Sequence, residues 1–404
     1  MLFKLAWRNL WRNRRRSAIV LSSVVLGYAA LVFLDALSTG MIHQMVRNRV
    51  GVHTAHIQIH RAGFLDNQVL GNRITNPDAV ASALKETPGI ERTSCRVLTF
   101  GMLNSASGSA GLTLVGVEPE AESQVTQIAE LVREGTYLTG SGREILLSGK
   151  VADKLGVRLG DKIVGMASGL GGEIGAELFR VVGLFRTYDS GFDETHAYVD
   201  IDDAQRMLSL GNGVMEFAVL CSDVVSKDAV KRSLADSLGD GYDVSTYRNL
   251  LPLLVAQLDV YRQMMWIVYA IVGLAVVLGI VNTMLMAVYE RIREFGVLFS
   301  IGMHRGRVFT MVVLEALILG ALGTALGVAA GAAVTAPFTR SGIDLSMFEK
   351  SLTSFGTGAV IYPQLTVAAL FSAAAVVPLV SVLGALYPGY EAVTLEPVEA
   401  IRHV

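Results

Sequence analysis

Histidine is the residue type here that could most readily bind a metal ion. Four of the seven histidines, His43, His53, His56 and His60, lie close together in the sequence. Residues 55–60 alternate between apolar and polar types, which predicts a strand with its odd-numbered residues inward and its even-numbered residues outward. On a strand, His56 and His60 would stand about 13 Å apart, too far to share one ion. We therefore predict surface histidines and no metal site.

A second possible chemistry is nucleotide hydrolysis. A phosphate-binding loop needs Gly, four residues, and then Gly-Lys-Ser/Thr. The nearest match is Gly149-Lys150, where Glu144 replaces the first glycine and Val151 replaces the hydroxyl residue. Neither a Gly-x-Ser-x-Gly nor a His-Glu-x-x-His motif occurs. We expect no catalytic residues and no cofactor in this chain, so any ATP hydrolysis would belong to another chain.

Glu315 is the most informative single charge, because it lies in an apolar run eight residues after Arg307. Eight residues of helix extend about 12 Å. A charge at membrane depth costs about 2.5–3.5 kcal/mol, so Glu315 should face a partner or a wet cavity. Two interpretations stay open: a polar contact that shifts during a transport cycle, or a fixed interhelical hydrogen bond or snorkelling side chain.

Membrane helices would position these side chains. The chain is 52% hydrophobic and 17% charged, whereas soluble domains carry about 25% charged residues. Its net charge of -2 implies no bulk attraction to nucleic acid. Four apolar runs, 17–37, 264–289, 308–337 and 364–388, are long enough to span a bilayer.

The distribution of basic residues predicts the orientation. Six Lys/Arg precede the first run, and further arginines lie in the connection between the second and third runs. The positive-inside rule then places both termini, including a tail at 391–404, in the cytoplasm. Residues 1–16 predict an amphipathic helix at the membrane interface that presents Trp7, Arg8, Trp11 and Arg12. A cleaved signal peptide is disfavoured because the following run is long enough to anchor the chain.

Residues 41–261 are polar and predict a large α+β domain outside the cytoplasm, between the first and second spans. Strands are predicted at 55–60, 96–103, 112–117, 144–147, 162–166, 180–185 and 216–220. Helices are predicted at 77–86, 151–155, 202–208 and 227–238. Cys95 and Cys221 both fall in this domain, either as one disulfide or as two buried thiols.

A glycine repeat marks the third span. Gly323, Gly327 and Gly331 recur every fourth residue and so share one helix face, which lets another helix approach closely. Packing within the subunit and a contact between subunits both fit this pattern.

The connection at 290–302 carries the clearest family pattern. Its Glu290/Arg293 and Arg291/Glu294 pairs have helical spacing, which by itself is worth about 0.2–0.5 kcal/mol per pair. The stretches VYERIREFGVL (288–298) and SIGM (300–303) resemble the ABC transporter membrane subunits that include MacB, FtsX and LolC/LolE. Four further stretches resemble the same family: LAWRNL (5–10), EILLSGKVADKLG (144–156), FRVVGLFRT (179–187) and TLEPVEAIR (394–402). Of these, 179–187 is closest to the LolC/LolE branch.

This resemblance implies a cytoplasmic coupling helix at 290–302 that docks on a separate ATPase dimer, which would bind ATP and Mg. Residues at the docking site would be Glu290, Arg291, Arg293, Glu294, Phe295 and Gly296. It also implies a bacterial inner-membrane protein with a two-lobed periplasmic domain, a second permease subunit of the same or a homologous chain, and contact with membrane lipids. The implied activity is mechanical: lipoprotein release, with a periplasmic lipoprotein carrier as a further partner.

Three alternatives accompany this interpretation. One is MacB-like export of small molecules or peptides. Another is FtsX-like signalling without transport, which the roughly 220-residue middle domain disfavours because FtsX-type domains are smaller. A membrane enzyme is disfavoured by the missing catalytic motifs.

Overall fold

The computed structural model describes residues 2–12, 14–222, 226–354 and 356–394. These residues form two compact units. One unit contains the chain up to Ile42, Gln257–Asp344 and the chain from Val360 onward, and we call it the helical unit. The other contains His43–Ala256 and Leu345–Ala359, and we call it the sheet unit.

The helices follow one another along the chain as α1 (Leu2–Arg12), α2 (Arg14–Arg49), α3 (Pro77–Glu86), α4 (Pro119–Val125), α5 (Gly149–Leu155), α6 (Ser190–Thr195), α7 (Ile201–Leu208), α8 (Lys227–Leu238), α9 (Tyr247–Leu250), α10 (Pro252–Glu290), α11 (Ile292–Ser300), α12 (Arg305–Thr335), α13 (Phe338–Ser341), α14 (Glu349–Ser354) and α15 (Val367–Thr394).

The strands are β1 (Ile57–Arg61), β2 (Ile90–Asn104), β3 (Ser109–Val117), β4 (Val132–Gly135), β5 (Glu144–Ser148), β6 (Lys162–Ser168), β7 (Ile174–Phe185), β8 (His196–Asp200), β9 (Glu216–Cys221), β10 (Tyr242–Thr246), β11 (Ile343–Asp344) and β12 (Val360–Ile361).

Three helical segments of the described chain are long and apolar enough to cross a membrane: Ser17–Thr54, Pro252–Glu290 and Arg305–Ser341. They contain the predicted spans 17–37, 264–289 and 308–337. A helix, α15, also covers most of the predicted fourth span, but the side chains of 367–377 lie outside the description, and a fourth span stays a prediction. The predicted tail motif, from residue 395 onward, lies outside the described residues as well.

Helix α12 packs closely on α2 because glycines line the contact. A Cβ atom added to Gly327 would lie 2.7 Å from the Cβ of Tyr28, and one added to Gly331 would lie 2.7 Å from the Cβ of Val32. Gly323 faces Val24 in the same way. The glycine face predicted from the sequence thus contacts a helix of the same chain.

A ten-stranded sheet organises the sheet unit, in the order β10-β1-β9-β2-β3-β8-β5-β7-β4, with β6 paired to β2 and β7. The pairings β3/β8 and β5/β7 are parallel. The long strand β2 pairs with β9 through its first half and with β3 and β6 through its second half. Because one sheet contains strands from 57–61 through 242–246, the division into two lobes stays a prediction.

The outward orientation predicted for the even-numbered side chains of residues 55–60 is wrong at two positions. Gln58 and His60, predicted to face outward, are 5% and 1% exposed. Strand β1 lies between β9 and β10, residues 57–60 are buried on both of its faces, and the polar side chains point at the buried Glu216. Among the described residues no group of three or more His, Cys, Asp or Glu side chains could hold a metal ion. Cys95 and Cys221 are free thiols.

Candidate coupling site

Helix α1 has two distinct faces. Ala6 and Leu10 are buried against the helical unit, whereas Trp7 and Trp11 are 41% and 43% exposed and contact each other edge to face, with ring centroids 6.0 Å apart. The predicted interface residues Arg8 and Arg12 are exposed too. An exposed pair of indole rings next to arginines is the pattern of a helix lying at a membrane surface, which stays a prediction.

The connection between α10 and α12 is short and structured. A single residue, Arg291, separates α10 from α11, and α11 ends at Ser300. Gly302 then adopts a φ of +90°, a conformation that favours glycine, and its N–H donates to the carbonyl oxygen of Phe299. The side chain of His304 accepts a hydrogen bond from the N–H of Gly306 and caps α12. The chain therefore reverses through a defined turn.

A buried ion pair joins this connection to α12. Nη1 of Arg291 lies 2.9 Å from Oε1 and 3.2 Å from Oε2 of Glu315, and the two side chains are 8% and 6% exposed. The side-chain amide of Asn9, on α1, donates to Oε1 of Glu315 at 2.7 Å. Glu315 thus receives donors from two other segments, as a desolvated carboxylate requires.

The polar contacts continue outward to the surface. Nε of Arg291 donates to Oε2 of Glu294 at 3.1 Å, and Nη1 of Arg12 lies 2.7 Å from Oε1 of Glu294. Burial favours the protonated form of Glu294, but the hydrogen bonds from Arg12 and Arg291 outweigh it and lower the pKa of this carboxyl. We call the five residues Asn9, Glu315, Arg291, Glu294 and Arg12 the polar chain.

The polar chain ties α1, α11 and α12 together at one place. Arg12 and Glu294 are about half exposed, so their contact contributes on the order of 0–1 kcal/mol. The inner pair differs, since removing one partner of a buried ion pair costs about 3–5 kcal/mol. The stabilisation is therefore concentrated at Arg291 and Glu315.

Three of the six predicted docking residues are buried. Arg291 is 7% exposed and turned to Glu315, Phe295 is 1% exposed, and Gly296 is buried as well. These three residues pack against other parts of the chain, and the docking role of all six residues stays a prediction. Glu290, Arg293 and Glu294 are exposed.

The exposed face of the connection includes residues that the sequence reasoning left out. Val297 is 55% exposed and Ile301 is 74% exposed. With Arg293 they recur at intervals of four residues along α11 and the residue that follows it, which is the spacing of one helix face. An exposed apolar pair next to charged residues suits contact with another protein.

Asn9 was missed because an asparagine in a basic helix carries no distinctive signal. The ion pair did leave a signal in the sequence. A carboxylate inside an apolar run requires a cation, and Arg291 is the arginine that directly follows the preceding helix. The helical spacing within 290–294 instead paired Arg291 with the nearby Glu294, and the structure contains that contact as well.

Comparison with known proteins identifies the family to which this chain belongs. The model of the MacB-like periplasmic core domain matches residues 17–237, more than half of the 404-residue chain, and the FtsX-like permease C-terminal model matches 266–397. The membrane helices and the sheet unit therefore define a permease with an α+β domain of the MacB periplasmic type. The chain belongs to the family of ABC transporter permeases that includes the FtsX-like and MacB-like membrane subunits.

Individual relatives are distant. The lipoprotein-releasing system transmembrane protein LolC of Xylella fastidiosa is 24% identical over 304 residues, covering 71% of this chain and 72% of LolC. The macrolide export ATP-binding/permease protein MacB of Nitrobacter winogradskyi is 25% identical over 96% of this chain, which spans 58% of that relative. The periplasmic region of MacB from Actinobacillus actinomycetemcomitans is 15% identical, with a TM-score of 0.38, covering 52% of this chain and 97% of that structure.

Proposed function

We propose that this permease couples ATP hydrolysis by a separate ATPase dimer to movement of its sheet unit, and that it thereby extracts and releases lipoproteins at the periplasmic face of the inner membrane. ATP and Mg bind to the ATPase, and both termini of the permease lie in the cytoplasm. A second permease subunit completes the transporter.

The single observation that carries the coupling proposal is the buried pair between Arg291 and Glu315. A partner that pushes on α11 displaces Arg291, and Arg291 holds Glu315 of α12 and, through Glu294, Arg12 of α1. The push is therefore delivered to two other helices together. Rigid, contiguous contacts of this kind are a physical means of transmitting motion.

Lipoprotein as the substrate rests on the similarity to LolC, a lipoprotein-releasing protein by name, over 71% of this chain. The MacB-like alternative, export of a small molecule or peptide, rests on the similarity to MacB over 96% of this chain. The two differ in what leaves the membrane.

Reconstitution separates these functions. The permease is purified from native membranes with the chains that accompany it, these are identified by mass spectrometry, and the complex is placed in liposomes with a radiolabelled lipoprotein. ATP-dependent transfer of lipoprotein to a soluble carrier protein is the expected result, and an ATPase mutant that cannot hydrolyse ATP is the control. An active ATPase with no transfer would overturn lipoprotein release, and copurification of no ATPase would overturn the coupling proposal as well.

A further inference from the structure

Helix α10 leaves most of its apolar surface uncovered. In its most apolar 18-residue segment only 6% of the residues are buried, against 56% in the corresponding segment of α12. The buried residues Ile280 and Met284 are 1% and 5% exposed and belong to the apolar core of the helical unit. One face of α10 is thus packed on the chain, and the described residues do not cover the opposite face.

Asn282 lies at the centre of the uncovered face. Successive residues of a helix are rotated by about 100°, so Asn282 points about 160° away from the packed Ile280. Ile271, Ala275 and Leu278 are exposed on the same face. Together with Asn282 they recur at alternating intervals of four and three residues, which is the spacing along the contact of two paired helices. We call these four residues the α10 seam.

The amide of Asn282 lacks a partner. Asn282 lies eight residues before Glu290, about 12 Å along the helix, and its short side chain cannot reach the membrane surface from there. The neighbouring Thr283 donates to the carbonyl oxygen of Gly279 in the same helix, whereas the amide of Asn282 makes no hydrogen bond with any described residue. An unpaired amide in hydrocarbon is unfavourable, so this one requires a donor and an acceptor from another molecule.

We propose that a second copy of this chain covers the α10 seam, with the two α10 helices parallel and the two Asn282 amides hydrogen-bonded to each other. Two copies have the same orientation in a membrane, so the two-fold axis that relates them runs along the membrane normal. A residue beside that axis meets its own counterpart. Because an amide has both a carbonyl acceptor and N–H donors, asparagine is complementary to itself. A single asparagine in such a seam fixes the register of the paired helices.

Lipid would suit the apolar residues of the seam but not its amide. Ile271 and Leu278 are 62% and 60% exposed, and acyl chains could cover them as well as a helix could. Acyl chains have no hydrogen-bonding groups, so they leave Asn282 unpaired. This inference rests on the proposed function for the need of a second permease subunit, and it identifies that subunit as a copy of this chain.

Disulfide cross-linking in native membranes tests the contact. Cys95 and Cys221 are replaced by alanine, and Asn282→Cys is introduced into the full chain. Oxidation should give a reducible dimer of this chain, because the two substituted positions face each other within reach of a disulfide. Leu274→Cys is the matched control, since Leu274 is 60% exposed but points about 80° away from Asn282 around α10. The absence of a dimer from the Asn282 variant, or equal dimer from both variants, would overturn the proposal.

Dimerisation without the ATPase measures what the amide contributes. Full chains that carry donor or acceptor dyes are mixed in liposomes, and energy transfer is followed as added lipid dilutes them. Asn282→Leu should weaken the dimer about fivefold to thirtyfold, the effect of one hydrogen bond between membrane helices. Asn282→Gln keeps an amide and should weaken it less. Equal dimerisation of the wild type and the leucine variant would refute the contact.

Cross-linking and lipoprotein release can fail independently. If the reconstituted complex releases lipoprotein but Asn282→Cys gives no dimer of this chain, the proposed function stands and the homodimer contact is refuted. A homologous chain or lipid then covers the α10 seam. If the dimer forms but no lipoprotein is released, the contact stands and lipoprotein release is refuted.

Discussion

Arg291 and Glu315 lie 24 positions apart in the sequence and form a buried ion pair, with Nη1 and Oε1 separated by 2.9 Å. The arginine follows the last residue of α10, and the glutamate lies ten residues after the start of α12 at Arg305. Each charge would be costly without the other, because neither side chain is solvated. The pair thus fixes how the connection folds back on the helix that follows it.

A double-mutant cycle on this pair distinguishes a structural role from a coupling role. Arg291→Met and Glu315→Leu should each destabilise the permease by about 3–5 kcal/mol, because each leaves one buried charge unpaired. The double variant should regain most of that stability, since both charges are gone. Thermal unfolding in detergent measures stability, and ATP-dependent release measures coupling.

We expect the double variant to be folded but uncoupled. That result would show that the pair transmits motion between α11 and α12 in addition to stabilising the fold. Release at the wild-type rate by the stable double variant would instead make the pair a fixed structural contact.

Docking of the ATPase should depend on the exposed face of α11 and the turn after it. Ile301→Asp places a charge at a residue that is 74% exposed, so folding is unaffected while an apolar contact with a partner is lost. We expect at least a tenfold loss of ATPase in pull-down from membranes. Met347→Asp is the control, because Met347 is 93% exposed and lies in the sheet unit. Full retention of the ATPase by the Ile301 variant would exclude this face.

Replacing a glycine of α12 should loosen its packing on α2. A methyl group at Gly327 would lie 2.7 Å from the Cβ of Tyr28, too close for carbon atoms, and so Gly327→Ala should destabilise by about 1–3 kcal/mol. Gly273→Ala in α10 provides the comparison, because a Cβ there would meet nothing within 4 Å. Differential scanning fluorimetry in detergent should show a lower Tm for the first variant alone. Identical Tm values would mean that the two helices can separate without cost.

The sheet unit should lose stability as pH falls from about 6.5 toward 4. The pKa of His196 is lowered to about 4 by burial, so the unfolded chain takes up a proton at a higher pH than the folded chain does. Glu216 acts in the same direction: burial opposes its ionisation, but the hydrogen bond with His60 and the charge of Arg96 outweigh burial and lower its pKa. Stability that depends on ionised Glu216 is present above its ordinary pKa and is lost as pH falls through the folded value.

Urea unfolding followed by near-UV circular dichroism at a series of pH values tests this dependence. His196→Gln should flatten the stability profile between pH 6.5 and 4, whereas His43→Gln, at an exposed position, should not change it. If the stability of the His196 variant fell with pH as steeply as that of the wild type, the acid sensitivity would belong to other groups.

Much of the secondary structure could be predicted because its signals are local. The predicted helix 77–86 matches α3, where Asn76 caps the first turn and Pro77 begins the helix. Strands β4, β8 and β10 were missed. Their short sequences mix polar and apolar residues, and what makes them strands is pairing with distant segments, as β10 pairs with β1.

The candidate site was less predictable for the same physical reason. Hydropathy identified Glu315 as a charge in need of a partner, but the partners come from α1 and from the residue after α10, and no local pattern brings them together. His60 shows the reverse error: alternation predicted an outward side chain, whereas both faces of β1 are buried and His60 is 1% exposed.

The pairing of β1 with β10 has a mechanical consequence. These strands are antiparallel, with Ile57 opposite Thr246, so the polypeptide enters and leaves the sheet at the same end of two adjacent strands. A force that pulled those two points apart would break the hydrogen bonds between the two strands one after another, beginning at the Ile57/Thr246 end. Such a force would therefore act on one hydrogen bond at a time and not on the whole ladder at once.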